Sequence, residues 1–179
     1  AMSSAILNVT SDKKILVSVL GGHNEYPVEA FATLLKTNNY EIIEQNLMTE
    51  DINPEATIAI LCAPTRDISE EESKKLDTFL DNNERHGKTL FYRASSSQRP
   101  SFPVLDAFLS EWGIRVNPGV VFETDSTKLF QMNVFMTLAD YMEDEYSKQV
   151  KEKKLVAAVA NARPLELLFE AQNGVQTTG

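Results

Sequence analysis

The sequence predicts an α/β protein, a three-layer sandwich around a mostly parallel sheet. Three observations carry this. Short apolar runs end abruptly at Gly or Pro, as Ile15-Leu-Val-Ser-Val-Leu20 does before Gly21-Gly22 and Ile58-Ala-Ile-Leu-Cys62 does before Pro64. Such runs suit strands buried on both faces. Between them stand stretches whose apolar residues recur at helical spacing. Strand and helix then alternate, and parallel neighbours need crossover connections of this kind.

In chain order, residues 14–20 read as the first strand, closed by the tight turn of Gly21-Gly22. Val28, Phe31, Leu34 and Leu35 give a helical stripe that ends at Asn38-Asn39, residues that tolerate a left-handed backbone. Residues 40–47 read as a more exposed strand and 56–63 as a central one. Ser69-Glu-Glu-Glu72 is a capping box: the serine hydroxyl can accept from the Glu72 backbone while the Glu72 carboxylate reaches back. The acids also favour the positive helix end. Leu76, Phe79 and Leu80 form that helix's stripe, and residues 88–93 the next strand. Ser101 and Pro103 suit another helix start, Leu105, Phe108, Leu109 and Trp112 its buried stripe, and Gly113 its cap. Residues 114–116 and 120–122 then read as short extended segments, 129–146 as a helix rich in Phe, Met and Tyr, 149–154 as a charged solvated stretch, and 155–160 as a further strand.

The 179 residues fit one domain, and 42% hydrophobic with 24% charged residues is a globular composition. The expected division is an α/β domain over residues 1–125, with 126–179 an extension completing it. A net charge of −9 opposes binding to nucleic acid or to anionic lipid. Cys62 is the single cysteine, so an intrachain disulfide and a cysteine-based zinc cluster are excluded. No run of about 18 apolar residues is present, so this chain is not expected to insert in a bilayer. Ala1 ahead of Met2 and the tail Asn173-Gly-Val-Gln-Thr-Thr-Gly179 read as the ends of an excised piece.

Val19-Leu-Gly-Gly-His23-Asn-Glu25 resembles the Gly-His-x-Glu turn of the extracytoplasmic domain of ABC-type transport system auxiliary proteins, the gliding-motility-type group. Ala59-Ile-Leu-Cys-Ala-Pro64, Ile68-Ser-Glu-Glu-Glu72 and Leu76-Asp-Thr-Phe-Leu80 are similar to that family's Pro-ended strand and acidic helix start. Leu109-Ser-Glu-Trp-Gly-Ile114 through Asn117-Pro-Gly-Val-Val-Phe-Glu-Thr-Asp125 is similar to its helix, glycine and strand passage. The likeness spans roughly residues 5–125 and more faintly Ala162-Arg-Pro-Leu165. It departs at Asn24, where a second glycine is usual, and at Glu84-Arg-His-Gly87, where the family often has Gly-Gly. The resemblance implies a flavodoxin-like or class I glutamine-amidotransferase-like fold, on the extracytoplasmic face of the cell membrane within a larger membrane-anchored protein. It implies a non-catalytic accessory role beside the membrane and nucleotide-binding subunits of an ABC transporter, acting through protein contacts or weak ligand capture. The chain itself has no Gly-x-x-x-x-Gly-Lys-Ser/Thr loop.

Ligands of open parallel sheets sit outside the carboxyl ends of the strands. Those ends carry Gly22, His23, Asn24 and Glu25, then Thr65 and Arg66, then Arg93 and Ser95, the candidate ligand-binding rim. The plainer account is that the glycines make a turn and the polar residues cover exposed backbone. A metal site would need the fold to unite His23 and Glu25 with Glu123 and Asp125, and neither metal nor cofactor is expected. The alternative function is a small-molecule (for example sugar) binding domain, or a hydrolase of the amidotransferase-like class using the His23, Thr65 and Ser95 rim. Cys62 invites the hydrolase reading, but Leu61 and Ala63 stand where a nucleophile elbow needs glycines. Cys62 is therefore expected to be a small core residue, and Trp112 is expected first as part of a core stripe. The 129–146 segment is the better candidate for contact with the rest of the parent protein.

Overall fold

A computed structural model describes residues 14–141, 145–153, 155–172 and 175–177. Strands β1 (Ile15–Gly21), β2 (Tyr40–Asn46), β3 (Ile58–Cys62) and β4 (Thr89–Arg93) form a four-stranded sheet in the order β2-β1-β3-β4. Each neighbouring pair is parallel, with Val17 opposite both Ile42 and Ile58, and Ile58 opposite Thr89. The connections are α1 (Glu29–Thr37) between β1 and β2, and α2 (Glu70–Asp81) between β3 and β4; α3 (Pro103–Glu111) follows β4.

Strand alternation sends the two side-chain sets of this sheet to opposite faces. Leu20, Ala59 and Leu61, with Leu16, Leu90 and Tyr92, pack against Leu76, Phe79 and Leu80 of α2 and Leu105, Phe108 and Leu109 of α3. On the other face Val17, Ile60 and Cys62 pack with Val28, Leu35 and Ile42. Helices thus lie on both faces of a parallel sheet, an arrangement compatible with a three-layer α/β sandwich. The layers are unequal: α1 has no fully buried residue, and its Phe31 meets Phe91 with ring centroids 5.7 Å apart while both remain partly in solvent.

The helix starts follow local chemistry. Ser69 Oγ accepts from Glu72 N at 3.3 Å, and Glu72 Oε2 accepts from Ser69 N at 2.6 Å, so the capping box forms. At α3, Pro103 occupies the first turn, where its missing N–H costs nothing. The free amides of Val104 and Leu105 there donate to Asp67, a residue of the β3–α2 loop, at 2.9 and 3.1 Å. Asp106 accepts from Phe102 N and from Ser101 Oγ.

The C-terminal part differs from the sequence expectation. Residues 129–146 are not one helix: a 3-10 turn at Ser126–Lys128 leads into β6 (Leu129–Phe130) and β7 (Asn133–Ala139), which are antiparallel, and β7 pairs in turn with β8 (Ala157–Ala160). Residues 142–144 of the expected helix lie outside the described residues. The hairpin turns at Gln131 and Met132, whose φ values of 53° and 59° belong to a type I′ turn. Neither is the Gly or Asn that normally announces such a turn, and Leu, Phe and Met at mixed spacing satisfy either period. Helix α4 (Glu145–Glu152) covers most of the expected charged stretch. Residues 120–122 join no ladder; instead Val121 N donates to Ala162 O and Glu123 N to Val134 O.

Strand β5 (Ile114–Val116) pairs antiparallel with β9 (Leu165–Leu167), tying residues beyond 125 to the α/β part. Short strands β10 (Ala171–Gln172) and β11 (Val175–Gln176) form a last antiparallel pair. The parallel sheet is therefore one of several, and the others are antiparallel.

Candidate functional site

The candidate rim is built by the loops that leave β1, β3 and β4. Gly22 has φ 121°, and a Cβ there would lie 2.7 Å from Asn46 Oδ1 and 2.9 Å from Met48 Cγ, so the turn after β1 requires glycine. Asn24 follows with φ 54°, a left-handed position asparagine tolerates. The double reversal folds His23 inward, leaving it 4% exposed.

His23 is held between two carboxylates. Its Nδ1 lies 3.3 Å from Glu25 Oε1, and its Nε2 lies 3.3 Å from Glu72 Oε2 and 3.2 Å from Glu72 Oε1. The backbone N–H of His23 also donates to both Glu25 oxygens, at 3.1 and 3.0 Å. Glu72 Oε1 is buried and makes no aligned hydrogen bond despite its nearness to the ring. The Glu25 hydrogen bond is the main force raising the His23 pKa; burial opposes it, and the Glu72 charge adds to it. For Glu25, burial pushes the carboxyl up, but hydrogen bonds from His23 outweigh this and the net shift is down. Glu72 behaves alike: burial raises it, and the Ser69 amide and hydroxyl with the His23 charge bring it below its ordinary value. The two carboxylates favour the protonated form of the ring, and both ring nitrogens face partners inside the protein.

The remaining rim is stitched together by its own groups. The His23 carbonyl accepts from Thr65 N at 2.9 Å and Thr65 Oγ1 at 3.2 Å, and Arg66 Nη2 donates to Gly22 O at 3.0 Å. Tyr26 N donates to Cys62 O at 2.9 Å. Gln98, buried, donates to Pro64 O at 2.8 Å and accepts from Ser95 N at 2.6 Å. Ser95 Oγ lies 2.8 Å from Ser97 Oγ, which donates to Tyr26 Oη at 3.1 Å. Asn24, Arg66 and Arg93 remain exposed, and Thr65, Ser95 and Glu25 are half-buried.

Cys62 lies on the α1 face of the sheet, 6% exposed, packed with Val17 and Ile60. Its Sγ accepts from Arg93 Nη1 at 3.7 Å, and His23 is engaged elsewhere. The fold does not unite His23 and Glu25 with Glu123 and Asp125: Glu123 accepts from Thr124 N, Asp125 N and Thr137 Oγ1, and Asp125 from Thr127. Among the described residues no group of three or more His, Cys, Asp or Glu is placed to hold a metal ion. Beside the β1 loop a cleft of about 470 Å³ is bordered by Glu25, Glu29, Glu44 and Glu50.

Sequence reasoning passed over three contributors. Glu72 was legible only as a helix cap, although a cap at the start of α2 necessarily faces the β3 strand end. Tyr26 and Gln98 carry no local motif, and their roles depend on loops that meet only in the folded chain.

No protein-family model matches the chain, and no curated protein matches it in sequence. A solved structure described as the mmIFT52 N-terminal domain is similar in fold, with a TM-score of 0.64 and 16% identity over 85% of this chain and 68% of that one. Among the described residues no helix is long and apolar enough to cross a membrane. At such low identity the likeness speaks for the fold alone, so the chain is an α/β protein with a helix-flanked four-stranded parallel sheet.

Proposed function

We propose that this chain is a non-catalytic accessory domain that works through protein contacts, of the kind carried on the extracytoplasmic face by auxiliary proteins of ABC-type transport systems. The order β2-β1-β3-β4 agrees with the first four strands of the flavodoxin-like doubly wound sheet, which that family resemblance implies. The observation that carries the contact role is the β6–β7 hairpin, where Phe130, Met132, Val134 and Phe135 are all exposed, Met132 at 77%. Grouped apolar exposure of this kind marks interaction surfaces. The rim supports the same reading, because its polar groups bond to one another and its histidine faces inward.

The test is co-purification of the full parent protein with the membrane and nucleotide-binding subunits of its transporter. The wild type is expected to co-migrate with them, and a Val134→Thr, Phe135→Thr pair to weaken the complex; a wild-type protein that fails to co-purify overturns the proposal. Location is tested separately by placing a cysteine at exposed Asn24. Labelling by a membrane-impermeant maleimide in intact cells is expected, and labelling only after lysis overturns it.

A second reading, capture of a small polyol such as a sugar, is favoured by the linked hydroxyls of Tyr26, Ser97 and Ser95. Sugar titration followed by the amide shifts of residues 95–98 distinguishes it from the first.

A further inference from the structure

The two edges of the parallel sheet are unlike. Strand β2 ends one side and carries Glu41, Glu44 and Gln45, charged and polar residues of the sort that discourage further pairing. Strand β4 ends the other side with Thr89-Leu-Phe-Tyr-Arg93, a short edge with no acid, proline or bulge. Thr89 N donates to Thr57 O at 3.0 Å, and Arg93 O accepts from Ala63 N at 2.8 Å, so alternate residues from Thr89 turn their peptide groups toward β3. Leu90 and Tyr92 therefore turn theirs away from β3, and among the described residues no strand pairs with them.

This edge forms one wall of a groove of about 680 Å³, with Trp112, the residue that caps the end of α3, and Leu165 and Leu167 of β9 also lining it. The two leucines are 66% and 46% exposed, so the far wall is apolar and wet. The charge of the groove runs against that of the molecule. Among the described residues its charged lining groups are Lys88, Arg93 and Arg163, all basic, on a chain of net charge −9. None of the three is in an ion pair among the described residues. Lys88 donates to the carbonyls of Pro54 and Ala56, Arg163 to those of Arg99, Pro100, Val116 and Asn117, and Arg93 to Cys62 Sγ.

The geometry points to an extended segment of a partner protein as the occupant, one that adds as a strand to the open edge of β4. Its main chain pairs with the peptide groups of Leu90 and Tyr92, its alternate apolar side chains enter the groove, and its flanking acidic residues meet Lys88 and Arg93. Strand addition supplies affinity through the main chain and selectivity through alternate side chains, and the acids give orientation. A second copy of this chain is the weaker occupant, since edge-to-edge pairing of two β4 strands brings two cationic grooves together. The inference goes beyond the accessory role and stands without it, because its test uses this chain alone.

The probe is the capped peptide Asp-Val-Thr-Val-Thr-Val-Asp, titrated into the 179-residue chain. Trp112, the single tryptophan, reports occupancy by its fluorescence. A saturable change with Kd below about a millimolar is expected. Replacing both aspartates of the peptide by lysine is expected to weaken binding at least tenfold, as is Arg93→Glu in the protein. N-methylation of alternate residues is expected to abolish binding in one phase and spare it in the other. The inference is overturned by the absence of a saturable change, by equal binding of the lysine peptide, or by equal binding of both N-methylated phases. A Trp112 change that tracks protein concentration without peptide also overturns it, in favour of self-association. The N-methyl comparison uses the wild-type chain, so it stands even if Arg93→Glu misfolds. Failure here leaves the transporter co-purification result untouched.

Discussion

His23 shows how much one residue can concentrate. Its ring is enclosed by Glu25 and Glu72, which favour its protonated form, and all three side chains are at most 12% exposed. Removing one member of a buried charge cluster leaves the others uncompensated, at a cost of about 3–5 kcal/mol. His23→Ala is expected to lose that much in urea denaturation near pH 6. The pH dependence has two sides. The raised His23 pKa makes its contribution complete below the ordinary value of 6.5 and lost as pH rises through the folded value. The lowered Glu25 and Glu72 values make theirs complete above 4.5 and lost as pH falls through the folded values. The stability gap between wild type and His23→Ala is therefore expected to be widest between about pH 4.5 and 6.5 and to narrow on both sides; a gap independent of pH contradicts the clasp. Asp77 is the opposite case: burial, with the nearby Glu111 charge, raises its pKa, so its ionised form is disfavoured in the folded chain. Asp77→Asn is expected to raise the melting temperature at pH 7, with the advantage fading towards pH 4. Glu25 stands only two residues from His23, but Glu72 and, for Asp77, Glu111 are neighbours far away along the chain, so the sequence announces neither behaviour in full.

Elements were legible where their signals were local. The β1 run, the Ser69 capping box and the Leu76, Phe79, Leu80 stripe each lie within a dozen residues, and each formed as its pattern implies. Helix α3 was legible from Pro103 and its stripe, but its principal cap was not, since Asp67 reaches Val104 N and Leu105 N across 37 and 38 positions. Hydrogen bonds to a charged group contribute about 1.5–3 kcal/mol. Asp67→Ala is expected to cost that order in denaturation and to speed amide exchange at Val104 and Leu105, while Glu70→Ala, at an exposed site on α2, leaves both amides unchanged. The β6–β7 hairpin was misread as helix for a related reason. Its turn residues, Gln131 and Met132, adopt left-handed geometry without the usual residue types, and only the pairing of β7 with β8 shows the segment to be a strand.

At the scale of the whole molecule, burial separates core from candidate chemistry. Cys62 is closed off beneath α1, so its reaction with a thiol reagent is expected to follow global unfolding rather than loop opening. Rapid labelling of the native chain would place it on an accessible surface instead. The sequence by itself determined the alternation of strands and helices through residue 116, the capping box at Ser69, the apolar faces and the exclusion of a disulfide within these 179 residues. These follow from hydrophobic period and turn chemistry, which act within a few residues. Only the tertiary structure decided that His23 faces inward, that Glu72 is its partner 49 positions away, that residues beyond 125 form antiparallel ladders, and that among the described residues β4 is left as an open edge beside a cationic groove. Those outcomes depend on which loops and strands meet in space, and pairings at long separation leave no periodic trace in the sequence.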